Sequence, residues 1–108
     1  MRTIYKYPLT RQSLQSIRMP RGAQILTVQA QENEACLWAE VETDFPAEER
    51  WIETFGTGKP MSELPRRYLG SAQLDGGSVV AHVYERFERQ HAIELMIPVR
   101  RARAVNES

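Results

Sequence analysis

No window of this chain sustains a helical period. Instead, short runs of alternating apolar and polar residues are cut by turn signals at roughly 8–12-residue spacing, a rhythm that admits little besides a small antiparallel β domain. The clearest punctuation is Asp75-Gly76-Gly77, which separates Tyr68–Leu74 from Ser78–Arg86 and predicts a β-hairpin. A second hairpin is predicted where Gln24–Gln31 and Ala35–Val41 flank the polar turn Glu32-Asn33-Glu34. In the first of these runs Leu26, Val28 and Ala30 are expected on one face; in the second, Leu37, Ala39 and Val41. Trp38, inside an apolar strand, is expected in the core.

Further strands are read at Thr3–Tyr7, Gln12–Met19, Arg50–Phe55 and His91–Val99, the last with Ile93, Leu95, Ile97 and Val99 on one face. Pro20-Arg21-Gly22 reads as a turn, with proline fixing φ and glycine free to take positive φ. Glu42–Glu49 reads as a loop. Pro60–Leu64 is expected to form one helical turn, since proline suits a first helical position and Pro65 forbids continuation. The expected fold is mainly β: a small antiparallel sandwich or barrel of about eight short strands with at most one short helix.

At 108 residues the chain fits one domain, expected over 1–99 with a flexible charged tail over 100–108. Fourteen Lys and Arg balance fourteen Asp and Glu, which disfavours an extended nucleic-acid partner held by counterion release. No apolar run approaches the ~18 residues that cross a bilayer, and the first residues, MRTIYKYPLT, lack a signal-peptide core, so no membrane partner is expected. Cys36 has no second cysteine to pair with and suits a reducing, cytoplasmic location. With two histidines and one cysteine no metal-ligand set emerges, and no cofactor is expected. No nucleophile–base motif is visible either, so no catalytic residue is assigned and the chain reads as a binder, not an enzyme.

FGTGKP (Phe55–Pro60) carries the most chemistry. Gly56, Thr57 and Gly58 let backbone N–H groups turn into one concavity, and Lys59 adds a cation, which together suit a phosphate. The G-x-x-x-x-G-K-[ST] spacing is absent, so this is no Walker loop, and a tight turn needing only positive φ is the plainer account. Tyr5, Tyr7, Trp51 and Phe55 are candidate stacking surfaces, with Trp51 and Phe55 expected on one face. Arg66 and Arg67 follow the loop closely enough to reach a phosphate, and His82, sharing a face with Val80 and Tyr84, is a candidate hydrogen-bonding wall.

TIYKYPL, PRGAQILTVQ, ACLWAEV, FGTGKP and YLGSAQLDGGSVVAHVYE, in that order from Thr3 to Glu85, resemble a family of small phage and bacterial proteins. Lys59 stands where that family usually has His, Ala81 replaces a larger residue before His82, and Arg86–Ser108 extends past its usual end. The family is similar to phage anti-defence proteins that sequester cyclic-nucleotide immune signals. The resemblance implies a non-catalytic binder of a cyclic nucleotide or similar phosphate-bearing ligand, in the cytoplasm of a bacterium or phage-infected cell. A symmetric ligand further implies a homo-oligomer. The alternative is a protein-interaction module that binds and inhibits a host protein.

Overall fold

A computed structural model describes residues 1–87, which form seven strands in two antiparallel sheets. The three-stranded sheet has the order β1 (Arg2–Pro8), β4 (Glu34–Glu42), β3 (Gln24–Gln31). The four-stranded sheet has the order β2 (Leu14–Pro20), β5 (Ala47–Gly56), β7 (Val79–Arg86), β6 (Arg66–Leu74). The mainly β class is therefore correct, and the two sheets do not close into a barrel. The expected strand His91–Val99 and the tail 100–108 lie outside the described residues.

Both hairpins form, and each turn shows why its residues were needed. β3 and β4 are joined by only two residues, Glu32 and Asn33, at φ 53° and 63°, because Glu34 already pairs with Gln31. Positive φ at both central positions matches the right-handed twist of the strands, and asparagine tolerates it better than most residues. β6 and β7 meet through Asp75-Gly76-Gly77, whose φ values are 53°, 68° and 96°. Pro20–Ala23 also turns as expected, with Gly22 at φ 79° and the Ala23 N–H donating to the Pro20 carbonyl at 3.1 Å.

Four expectations are corrected. Pro60–Leu64 carries no helical turn; the only helical piece among the described residues is the single 3-10 turn Asp75–Gly77. The 42–49 loop shrinks, because β4 runs through Glu42 and β5 begins at Ala47. In β3 a bulge between Ile25 and Thr27 shifts the register, so Val28 is buried with Ile25 packed near it while Leu26 is pushed out to 46% exposure. Trp38 pairs with Lys6 and Thr27 on the outer face of its sheet and is only half-buried.

The core lies between the sheets. Leu37 from β4 packs with Ile52 from β5, Val83 and Ala81 from β7, and Ala72 and Leu74 from β6, while Ala39 and Val41 pack with Met19 and Ala23, all at 7% exposure or less. Alternation is regular in β7 and in β4 from Leu37 to Val41, and it leaves the opposite side chains of those stretches outside the core. β3 and β6 approach closely at the seam, where a side chain on Gly70 (φ 151°) would meet Val28 Cβ at 3.0 Å. Among the described residues no helix is long and apolar enough to cross a membrane.

Candidate functional site

The side chains that alternation turns away from the core on β5, β7 and β6 form one continuous outer face. Cross-strand pairing aligns Phe55 with His82 and Ser71, and Glu53 with Tyr84 and Tyr68. Three rings therefore run across the strands: Phe55 to Tyr84 at 5.7 Å between centroids and Tyr84 to Tyr68 at 5.2 Å, both edge-to-face. Trp51 lies on the same face, four residues before Phe55, opposite Arg86. It is 37% exposed and Tyr68 is 55% exposed, so the apolar run opens to solvent at both sides.

Beside the rings runs a hydrogen-bonded chain. Thr57 Oγ1 lies 2.8 Å from His82 Nε2, His82 Nδ1 lies 2.9 Å from Ser71 Oγ, and Ser71 Oγ lies 2.7 Å from the Tyr68 hydroxyl. Four side chains from a turn and two strands are thus linked in sequence, with the imidazole half-buried in the middle and Thr57 and Tyr68 exposed at the ends. No short sequence motif announces this chain. Thr57 and His82 are 25 residues apart, and only the Phe55–His82 register brings them together.

The glycine loop is a four-residue turn. The Lys59 N–H donates to the Gly56 carbonyl at 3.1 Å, and Gly58 takes φ 86°, the positive value that the third residue of a type II turn requires. A side chain at Gly58 would meet no atom within 4 Å, so the position is open to solvent. The Lys59 amide is spent within the turn, and no helical turn follows it over Pro60–Leu64. Lys59 remains: among the described residues no carboxylate lies within ion-pair distance of its ammonium.

The other candidate residues divide. The Arg66 guanidinium lies over the Phe55 ring at 5.1 Å, so it joins the outer face. Its donors, however, go to Glu53 Oε1 (3.1 Å), the Ser62 carbonyl (2.7 Å) and Ser62 Oγ (2.5 Å), which makes it a clamp on the 57–65 connection. Arg67 alternates to the opposite side of the sheet and donates to Glu85 Oε1 at 3.1 Å. Tyr5 and Tyr7 sit on β1 in the other sheet, edge-to-face at 6.3 Å, with Tyr7 packed against the core. The structure thus brings Trp51, Phe55, Thr57, Arg66 and His82 to one face and leaves Arg67, Tyr5 and Tyr7 off it; the Lys59 stem lies beside Gly56, which alternation turns to the side opposite Phe55. Ser71, Tyr68 and Tyr84 complete the Phe55 face; Ser71 was not a candidate from sequence.

A family model described as a domain of unknown function, DUF7352, matches residues 1–94, which include every motif from TIYKYPL to HVYE. The chain belongs to that family. The match also runs past Glu85, so Arg86 to residue 94 is part of the family's common length and not an extension of it. No curated protein and no solved structure matches the chain.

Proposed function

We propose that this DUF7352 domain binds a phosphate-bearing small ligand on the outer face of the four-stranded sheet and does not turn it over. The observation that carries this reading is the coincidence, on three adjacent strands, of an aromatic run and a chain of hydroxyls through His82, with Lys59 in the same turn as Thr57 and no carboxylate within ion-pair distance of it among the described residues. Planar bases stack on exposed rings, and a cation with hydroxyl donors suits the phosphates attached to them. Lys59 and Thr57 take the phosphate role, since Arg66 is already committed to Glu53 and Ser62.

Within that reading the ligand is a cyclic di- or oligonucleotide, and the biological role is capture of a cyclic-nucleotide immune signal by a phage anti-defence protein in the cytoplasm. This refinement rests on the sequence resemblance of the TIYKYPL and FGTGKP motifs. Capture needs complementarity only to the ground state. A two-fold ligand favours a homo-oligomer in which two such faces meet across it.

A second reading has its own observation. β1 and β2 each leave one edge unpaired among the described strands, and Leu14, Trp51 and Tyr68 are exposed, which suits a protein that adds its edge or apolar face to another protein. Thermal melting against a panel of cyclic nucleotides separates the two. A ligand-dependent rise in Tm, with the nucleotide recovered intact from the denatured complex, supports the binder. No shift with any member favours the interaction module, and recovery of a linearised nucleotide moves the protein to the enzymes.

A further inference from the structure

The polarity of the Thr57–His82–Ser71–Tyr68 chain can be counted. A neutral imidazole donates from one ring nitrogen and accepts at the other. If Nε2–H donates to Thr57, the Thr57 O–H is free to point outward, but Ser71 must donate to Nδ1 and Tyr68 must donate to Ser71. If instead Nδ1–H donates to Ser71, then Ser71 donates to Tyr68 and the Tyr68 O–H points outward, while the Thr57 O–H is spent on Nε2. The distances of 2.8, 2.9 and 2.7 Å allow both directions. A neutral chain therefore offers one outward donor, at one end or the other, and never two.

The cationic imidazole changes the count. Both ring nitrogens then donate, both neighbouring hydroxyls accept, Ser71 passes its proton on to Tyr68, and Thr57 and Tyr68 each present an outward O–H. We propose that His82 takes up one proton when the site fills, so that the domain selects ligands with hydrogen-bond acceptors at both ends of the chain: a phosphate oxygen at Thr57 and a base carbonyl or ring nitrogen at Tyr68. This rests on the ligand-binding reading above and sharpens it. A phosphodiester carries no proton to give, so the Thr57 end must donate. A base donor at Tyr68 would leave the chain neutral, and an acceptor there requires the extra proton.

Around His82 the β5–β6 turn contributes Thr57, β5 contributes Phe55 with the Arg66 guanidinium 5.1 Å over its ring, β6 contributes Ser71 and Tyr68, and β7 contributes Val80 and Tyr84. Glu53, which draws Arg66 and Arg86, begins one cross-strand pair further along. A bound phosphate would supply the negative charge that this immediate ring of groups lacks, and it would sit at the Thr57 end.

The test is calorimetric titration of the full chain with cyclic di-adenosine and cyclic di-guanosine monophosphate, in two buffers of different ionisation enthalpy, between about pH 6 and pH 8 where histidine changes charge. The expected result is a binding heat that differs between buffers by the ionisation enthalpy of one proton, and a Kd that tightens as pH falls. His82→Gln, which keeps one donor and one acceptor but takes no proton, should lose the buffer dependence and the pH slope at unchanged Tm. Binding whose heat and Kd ignore buffer and pH overturns the proton uptake and leaves the binding reading standing. Failure of both nucleotides to bind at any pH overturns the binding reading, and the inference with it.

Discussion

His82 and Glu85 stand three residues apart on β7 and face opposite sides of the sheet. Each is the centre of a polar cluster, and the two clusters are built in contrasting ways. Glu85 is 7% exposed and faces inward. One oxygen accepts from Arg50 Nε, and the other from Arg50 Nη2 and Arg67 Nη2, both at 3.1 Å. Arg50 also donates from Nη1 to the Ala23 carbonyl at 2.9 Å, which ties β5, β6 and β7 to the turn between β2 and β3. Burial alone would raise the Glu85 carboxyl, but the Arg50 hydrogen bond, with Arg67 behind it, outweighs that and holds it below its ordinary value. The His82 cluster has no such closure. Its two ends are exposed hydroxyls whose remaining hydrogen-bonding capacity points at solvent. Where a polar network closes on itself between sheets it serves the fold; where it ends in open donors it is placed to serve a partner.

The largest effect should follow from breaking the closed cluster. Arg50→Ala leaves Glu85 buried with Arg67 still donating to one of its oxygens, and removing one partner of a buried pair costs about 3–5 kcal/mol. Urea unfolding followed by tryptophan fluorescence measures the loss. Replacing Arg50 and Glu85 together by leucine should recover much of it, because the penalty lies in the abandoned charge. A cost for Arg50→Ala below about 1 kcal/mol would erase the contrast.

Next in size is Gly58→Ala, on the open side. The added methyl meets nothing within 4 Å, so the strain comes only from φ 86°, worth about 1–2 kcal/mol for an L residue. If the turn merely reverses the chain, Tm falls accordingly and nucleotide affinity stays put. If a phosphate approaches this backbone, affinity falls by more than the stability change explains. Lys59→Ala should then weaken binding with no change in Tm.

A third polar cluster tests whether closure or burial decides the matter. Arg11 donates to both oxygens of Asp75 (3.0 and 2.9 Å), and Asn33 Nδ2 donates to Oδ1 at 2.9 Å while its own Oδ1 accepts the Asp75 N–H at 2.7 Å. This clasp joins three connections at one end of the sandwich, closed like the Glu85 cluster but exposed. The Arg11 and Asn33 hydrogen bonds lower the Asp75 carboxyl from 3.8 to about 2. A depressed carboxyl contributes stability that is present above its unfolded value and lost as pH falls through its folded one. Wild type should therefore lose Tm from about pH 4 down to pH 2, and Asp75→Asn, lower in Tm at pH 7, should converge with it at the acid end. Equal Tm at pH 7 would show that closure without burial stabilises nothing here.

These contrasts were only partly legible in the sequence. Seven strands were, because period-two alternation and turn residues are local signals. The β3 bulge was not: one inserted residue exchanges the roles of Ile25 and Leu26, and nothing in QILTVQ marks where the register slips. Beginning β6 at Tyr68 instead of Arg66 hid the alternation that sends Arg66 to the outer face and Arg67 to Glu85. Pro60 and Pro65 fit the ends of a helical turn, but Arg66 holds the intervening stretch through Ser62 in an irregular path. Tyr5 and Tyr7 were placed with the site because sequence displays aromatics without saying which sheet they join. Phe55, Thr57 and His82 stand out in the sequence for their chemistry, and the β5–β7 register is what brings them together.

The smallest expected effect on the fold carries the most information. Tyr68→Phe keeps the ring that packs edge-to-face on Tyr84 at 5.2 Å and removes only the hydroxyl that ends the His82 chain. Tyr68 is 55% exposed, so the lost hydrogen bond to Ser71 competes with water and stability should change by no more than about 0.5 kcal/mol. A stacking surface that reads shape alone would leave nucleotide affinity unchanged as well. A site that uses the far end of the chain as a donor should lose about 1 kcal/mol of binding, roughly fivefold in Kd, because the ligand's acceptor is left facing a bare ring edge. Ser71→Ala provides the companion measurement: it cuts the chain between His82 and Tyr68 while leaving the tyrosine hydroxyl in place. If the chain acts as a unit, Ser71→Ala should resemble Tyr68→Phe in weakening binding. If Tyr68 acts alone, Ser71→Ala should bind like wild type, and the open cluster would reduce to one exposed hydroxyl beside an aromatic face.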